Sequence, residues 1–438
     1  MKPSMSIQEL RAIYMQKYEE NKELVDARIA EGIETYRKGD CCVQIKDKQG
    51  NPIACKKIKV TQVSHDFKYG ANLFLLDEFK NDKANAEYRM FFKDHFNLAT
   101  IPFYWDTLEP TEGQPRFSID SERIYRRPAT DLCMEYCEEN GVTPKLHCLF
   151  YDKFSPEWLK GADEATAKIK LEKRIKEIAE RYRGRMFEFE VVNELFQVHD
   201  RQTALGGCRD IINWCFDTAR KYLPNDQLTI NENNTLPETA RKDYYSPYFM
   251  LCDSLLKQGV SIDRIGIQNH QFTGVSAQNQ EEYDSNVLAD VIWNDPMMYF
   301  KALDVMQKFG KPLEITEVTI PTFGHSQEAE QLQADMLKLW FSIWFSHPAV
   351  DCVVYWNTVD GYTYATEKWN ENNCRGGLWH NDLTPKKSAI MLKSLFNEVW
   401  HTELELMTDE EGYVKFRGFY GEYEAKTDDI SMRFGLHK

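Results

Sequence analysis

Short apolar runs alternate with longer stretches of helical period along most of this chain. Runs near 68–74, 97–101, 144–150, 187–193, 227–232, 264–269, 312–317 and 351–356 have the length and flanking residues of strands. Between them, 120–140, 164–183, 208–222, 242–258 and 328–345 carry the spacing of amphipathic helices. Eight strands with intervening helices predict an α/β fold, a (β/α)8 TIM barrel, which takes ~250 residues and more with insertions. A doubly wound open sheet is the alternative, but no GxGxxG follows a strand.

The flanks follow other rhythms. Ser6-Ile7-Gln8-Glu9 has the form of a capping box, and a long charged helix is expected from there to about Arg37, docked by Leu10, Ile13, Tyr14, Tyr18 and Leu24. Residues 42–45 and 58–63, around a turn at Asp47–Asn51, predict a β-hairpin. After Trp400 the period returns to two, with strands expected at 403–406, 413–416 and 419–423. That tail is too short to hold a core of its own. It is expected to pair with the hairpin as a small accessory β module. The resulting division is 1–66 for the N-terminal helix and hairpin, 67–400 for the barrel and 401–438 for the tail.

In such a barrel the active site lies at the carboxyl ends of the strands. Two predicted strands end there in an acid. RMFEFEVVNELFQ (185–197) alternates Phe187, Phe189 and Val191 with Glu188 and Glu190, then closes on Asn193-Glu194. KPLEITEVT (311–319) closes on Glu317. Desolvation where a buried strand meets a loop would raise the Glu194 carboxyl, as a proton donor near neutral pH requires. Glu314, three residues before Glu317, is expected to face the opposite way.

Composition narrows the function further. A content of 42% hydrophobic residues, with 25 Phe, 22 Tyr and 10 Trp, describes a large aromatic core. No run of eighteen apolar residues is present to span a membrane, and the first residues lack the basic start and apolar centre of a signal peptide. A cytoplasmic location is expected unless a leader was removed. A net charge of −15 without a basic stripe argues against nucleic acid as a partner and suits a neutral substrate. Eleven cysteines, an odd count without CxxC, are expected to be buried reduced thiols. The ten histidines show no HExxH, and no metal, nucleotide or flavin cofactor is called for.

The ordered strand ends resemble glycoside hydrolase family 10, the retaining β-xylanase family among the (β/α)8 glycosidases. Gly184-Arg185 with Val191-Val192-Asn193-Glu194 resembles its acid/base signature, and Ile315-Thr316-Glu317 its nucleophile signature. Ile265–His270 resembles the sixth strand, Leu228 to Asn234 the fifth, Val354-Tyr355-Trp356 with Asp360 the eighth, and His147 the end of the third. Arg417 to Gly421 resembles β segments beside some members. There are also departures. The family's Glu-Asn-x-x-Lys-Trp after the second strand is here Thr100-Ile101-Pro102-Phe103-Tyr104-Trp105. The expected Trp-His pair after His147 is Tyr151-Asp152, and the Asp expected two residues beyond the nucleophile is Thr319.

The resemblance implies hydrolysis with retention of β-1,4-xylan-derived or related β-linked oligosaccharides. Glu194 would be the acid and then the base, and Glu317 the nucleophile. Asn193 would bond the 2-hydroxyl of the reacting sugar, His270 would sit against Glu317, and Gln268 and His147 would hold hydroxyls. Trp356, Trp379, Trp105 and Tyr104 are the candidate aromatic contacts. The neighbouring subsite is expected to be aromatic and less polar, with a weakened preference for xylan. The alternatives are an exo-acting or aryl-glycoside β-glycosidase of altered specificity, or a sugar-binding barrel without hydrolysis. Each binding candidate also has a structural alternative, with Asn193 as a helix cap and the histidines and tryptophans as core residues.

Overall fold

The computed structural model describes residues 2–427 and 430–438. Eight parallel strands close into a barrel: Lys68–Asn72, Leu98–Pro102, Thr143–His147, Phe189–Asn193, Leu228–Glu232, Arg264–His270, Leu313–Thr319 and Val350–Tyr355. Each pairs with its neighbours in chain order, and the eighth closes on the first. This is the predicted TIM barrel, with each strand within three residues of its expected position.

The helices follow their predicted stripes, with breaks where local chemistry demands them. The expected helix from Asp120 begins only at Thr130. Pro128 disfavours helical backbone at Arg127, so the preceding residues form turns instead. The stretch from Lys242 is two helices, Leu236–Lys242 and Pro247–Lys257, because Pro247 can open a helix but not continue one. At the N-terminus the Ser6–Glu9 capping box is present, but the expected long helix is three, Ile7–Tyr14, Gln16–Glu20 and Lys22–Tyr36. The third lies so close to the helix Gln327–Ser346 that a Cβ on Gly32 would come within 2.4 Å of the Ser346 carbonyl oxygen.

The terminal flanks interleave. Lys38–Gln44 pairs with Tyr413–Phe419, and Lys57–Gln62 lies between Glu403–Met407 and Gly421–Lys426, with Ser431–Leu436 beyond. The expected hairpin is therefore corrected. Around the turn the Ile53 amide donates to the Ile45 carbonyl and the Asp47 amide to the Asn51 carbonyl, but the strands beyond it diverge into separate sheets. Seven of the cysteines are buried, as expected, whereas Cys42 and Cys55 are exposed. No helix among the described residues is long and apolar enough to cross a membrane.

The alternation in the fourth strand has an unusual meaning. Phe189 and Val191 are buried in the hydrophobic core, and Glu188 and Glu190 are buried just as fully. Glu188 belongs to a charged layer in the barrel floor. Lys145 Nζ contacts Glu188 and lies 2.8 Å from Glu314, while Arg264 contacts Glu314, Asp351 and, at 3.2 Å, Glu188. The expected direction of Glu314 is thereby corrected. Ile267 opposes Ile315, but the next pair is Gln268 with Glu317. The extra residue resets the side-chain period. Glu314 and Glu317 both point inward, one layer apart.

Candidate active site

Above the floor, the strand ends open into a cavity of about 500 Å³. Glu194 sits one residue beyond the fourth strand with φ at +49°, a left-handed backbone that turns its side chain over the barrel mouth. Its loop is tied down by Glu232, which accepts the Phe196 amide at 3.2 Å. Burial, with the charge of Glu194 adding to it, pushes Glu232 up to about 7.

Glu317 emerges from the seventh strand and is nearly fully buried. Its Oε1 accepts from Gln268 Nε2 at 2.9 Å and Asn231 Nδ2 at 3.1 Å, and its Oε2 lies 3.2 Å from His270 Nε2. Gln268 Nε2 is also 2.9 Å from Glu194 Oε1, so one amide nitrogen ties the two acids together. The opposite oxygen of Glu194 accepts from Tyr151 Oη at 2.5 Å. Burial pushes the Glu317 carboxyl well above its usual range; Glu190 and Glu194 reinforce the rise, and His147 opposes it.

The two histidines differ in charge state. Burial lowers His270 to about 4, so its ring is neutral near neutral pH. Its Nδ1 lies 2.8 Å from the Thr319 hydroxyl, in the place the family gives to an Asp. His147 is also penalised by burial, but Glu190, 2.9 Å from its Nδ1, more than offsets this and raises it. Its Nε2 is 3.0 Å from Tyr104 Oη, so both ring nitrogens are engaged within the protein. Asn193 accepts at Oδ1 from Asn231 at 3.0 Å and Gln268 at 3.3 Å, which leaves its buried Nδ2 without a partner. His147, Cys148 and Glu190 also gather possible ligand atoms within 4.8 Å of one another. Burial pushes the Cys148 thiol well up, however, and Glu190 is already paired with His147.

Of the sequence candidates, Glu194, Glu317, His147, Asn193, Gln268, His270, Trp356 and Tyr104 line this one cleft. Trp356 stands edge-on to Phe74 and His147, with ring centroids at 5.1 and 5.2 Å. Trp105 and Trp379 are corrections. Beyond Tyr104 the chain turns into the short helix Trp105–Leu108, which carries the Trp105 indole away from the cleft. There it donates to Glu109 at 2.9 Å and meets Trp158 edge-on. Trp379 stacks on Phe91 at 4.0 Å, within the packing of the helix Asp82–His95.

Sequence reasoning missed Tyr151, Asn231, Trp369 and the pair Arg126 and Arg127 as site residues. Tyr151 and Asn231 stand in motif segments already singled out. The arginines fell within a stretch expected to be helix, where charged residues signal only a solvated face. They also correct the expectation of a less polar neighbouring subsite: Arg127 lies over the Tyr104 ring, 4.1 Å from its centroid.

The family whose sequence model matches is Glycosyl hydrolase family 10, over residues 65–394. The chain is 26% identical over 400 residues to an anti-sigma-I factor of Acetivibrio thermocellus, covering 90% of this chain and 45% of that protein. It is 26% identical over 297 residues to endo-1,4-beta-xylanase B of Cellvibrio japonicus, covering 66% and 42%. It spans less than half the length of these two relatives. Among solved structures, xylanase 10B from Thermotoga petrophila in complex with xylobiose aligns with a TM-score of 0.59 at 20% identity. That alignment covers 76% of this chain and 95% of the other, a likeness of fold.

Proposed function

Because the chain belongs to glycosyl hydrolase family 10, we propose that it is a retaining glycoside hydrolase acting on xylan-derived or related β-linked oligosaccharides. One observation carries the reading. Glu194 and Glu317 each lie 2.9 Å from the same Gln268 nitrogen. Their nearest oxygens are therefore no more than twice that distance apart. Retention needs carboxyls ~5–5.5 Å apart, whereas inversion needs ~6.5–9.5 Å to admit a water between them.

In the first step Glu317 attacks the anomeric carbon while Glu194 gives its proton to the departing glycosidic oxygen. In the second step Glu194 takes a proton from water, whose oxygen displaces Glu317 from the anomeric carbon. Asn193 supports both steps. Its acceptor oxygen is held by two neighbours, and its spare N–H is free for the sugar 2-hydroxyl, a contact that strengthens in the transition state. Neutral His270 donates from Nε2 to Glu317 and steadies it for attack. Trp356 supplies an apolar face for the ring.

The test is hydrolysis of xylo-oligosaccharides, aryl β-xyloside and aryl β-glucoside, with the first-formed anomer followed by NMR. Glu317-dependent cleavage to the β-anomer is the expected result, and initial release of the α-anomer would refute the mechanism. Cleavage of aryl glycosides alone would favour the exo-acting reading. Sugar binding without turnover is the second reading, since a relative that aligns with 90% of this chain is named for a regulatory role, an anti-sigma-I factor, and not for hydrolysis. Wild-type protein that binds xylo-oligosaccharides but cleaves none of the panel would establish it.

A further inference from the structure

The wall of the cleft around Tyr104 holds two cations that nothing in the proposed hydrolysis uses. Arg126 is 5% exposed and Arg127 is partly buried, and both line the cleft. Among the described residues neither has a carboxylate within ion-pair distance. Lys153, the lining lysine, pairs with Asp200 at 3.1 Å. Of the acids nearby, Glu371 takes a hydrogen bond from Asn357, and Asp106, whose buried charge acts on Arg127, forms no ion pair with it.

The unused donors have a definite geometry. Arg126 gives Nη2 to Asn357 Oδ1 at 2.7 Å and Nη1 to the Tyr362 carbonyl, which leaves its buried Nε without a partner. Arg127 gives Nη1 to the Arg126 carbonyl at 2.9 Å, and its buried Nε has no partner either. Its Nη2 donates to no group among the described residues. The Nε–Nη2 edge of a guanidinium is a parallel pair of donors that matches the two oxygens of a carboxylate. Phe74, Tyr104 and Phe154 pack around the Arg127 guanidinium at 5.3, 4.1 and 5.8 Å, and hold its plane in place. A buried donor without an acceptor is costly. Two adjacent ones, on arginines that line a ligand cavity, point to an acceptor that arrives with the ligand.

We propose that this wall binds a carboxylate, so that the preferred substrate is an acidic oligosaccharide with a uronic acid one place beyond the reacting sugar. The inference rests on the hydrolase reading for that placement. The neutral substrate suggested by the net charge of −15 is revised accordingly. The acidic surface would repel such a ligand elsewhere, and the Arg126–Arg127 wall is where the cleft offers it compensation.

The test uses Glu317→Gln protein, in which ligands remain intact, and isothermal titration with D-glucuronate against D-glucose. Xylobiose with and without a glucuronosyl substituent forms a second pair. The carboxylated member of each pair is expected to bind at least ~10-fold tighter, an advantage that shrinks as salt is raised. Adding Arg127→Gln should bring the ratio within each pair close to one, and Arg127→Lys, which keeps the charge but loses the fork, should fall between. The ratio is internal to each variant, so a general loss of affinity does not imitate the result. Equal affinities in the parent, or a ~10-fold ratio that survives Arg126→Gln/Arg127→Gln, would overturn the proposal. Hydrolysis of neutral xylo-oligosaccharides without any glucuronate preference would defeat this inference and leave the hydrolase standing. Arginine-dependent glucuronate binding in a protein that cleaves no glycoside would do the reverse.

Discussion

Two charged layers share the interior of this barrel, one step of side chains apart, and they are built on opposite rules. In the floor, Glu188, Glu314 and Asp351 meet Lys145 and Arg264, and every acid touches a cation. Burial would raise the Glu314 carboxyl, yet Arg264 and Lys145 override it and hold it well below the usual range. In the layer above, Glu194 and Glu317 are held by neutral donors: Gln268, Asn231, Tyr151 and the uncharged His270. Burial there is not cancelled, and Glu317 rises. Burial alone therefore does not mark a reactive carboxylate. Glu188 in the floor is raised as well, by burial and the neighbouring Glu314, although Lys145 and Arg264 touch it. What separates Glu194 and Glu317 is that they open on the cleft.

The sharpest way to break the comparison is to exchange one acid in each layer for its amide or remove its partner. Glu317→Gln keeps the hydrogen-bonding shape and removes the nucleophile. Turnover of any cleaved glycoside should fall by at least ~10³-fold with the unfolding midpoint preserved. Turnover within tenfold of wild type would exclude Glu317 as nucleophile. In the floor the balance inverts. Lys145→Met leaves Glu188 and Glu314 short of a buried cation and should cost ~3–5 kcal/mol in urea unfolding. A loss under ~1 kcal/mol would mean that the layer is not held by charge pairing.

This contrast also explains what the sequence could and could not disclose. The strands were legible because both faces of each barrel strand are buried, so apolar runs and strand ends stood out from 68 to 356. Glu194 and Glu317 were legible because a strand end is a position that periodicity can locate. Glu314 was misjudged because a bulge between residues 315 and 317 breaks the two-residue period, and no local pattern marks that bulge. The hairpin failed because its turn is real but its strands find better partners in the tail, far along the chain. Arg126 and Arg127 were hidden by position: in a stretch with helical spacing, arginine is the ordinary surface residue. Trp105 and Trp379 erred the other way, since indoles beside a motif fill a core as readily as a sugar site.

A milder probe is pH. Glu317 must be ionised to attack, and its carboxyl is raised above the usual 4.5. As pH falls through that raised value the nucleophile is protonated and lost. The acidic limb of kcat/KM should accordingly lie above the ordinary glutamate range. A limb at or below 4.5 would show that substrate-free burial does not govern the nucleophile.

The smallest expected effect tests why the upper layer is short of cations. His270 stays neutral because it is buried and because the neighbour at its Nδ1 is the hydroxyl of Thr319 rather than a carboxylate. Thr319→Asp would place an acid near that nitrogen. A carboxylate at hydrogen-bond distance favours the imidazolium, so the His270 titration followed by NMR should rise from about 4 by at least about one unit. As His270 gains charge, its Nε2, 3.2 Å from Glu317, favours the ionised nucleophile. The acidic limb of kcat/KM should then move to lower pH, by less than the histidine itself shifts, because the new acid partly cancels the new cation. An upward shift of His270 with an unmoved or rising limb would mean that the introduced carboxylate acts on Glu317 mainly as another negative charge. The neutrality of the upper layer would then protect Glu317 from crowding rather than withhold a cation from it.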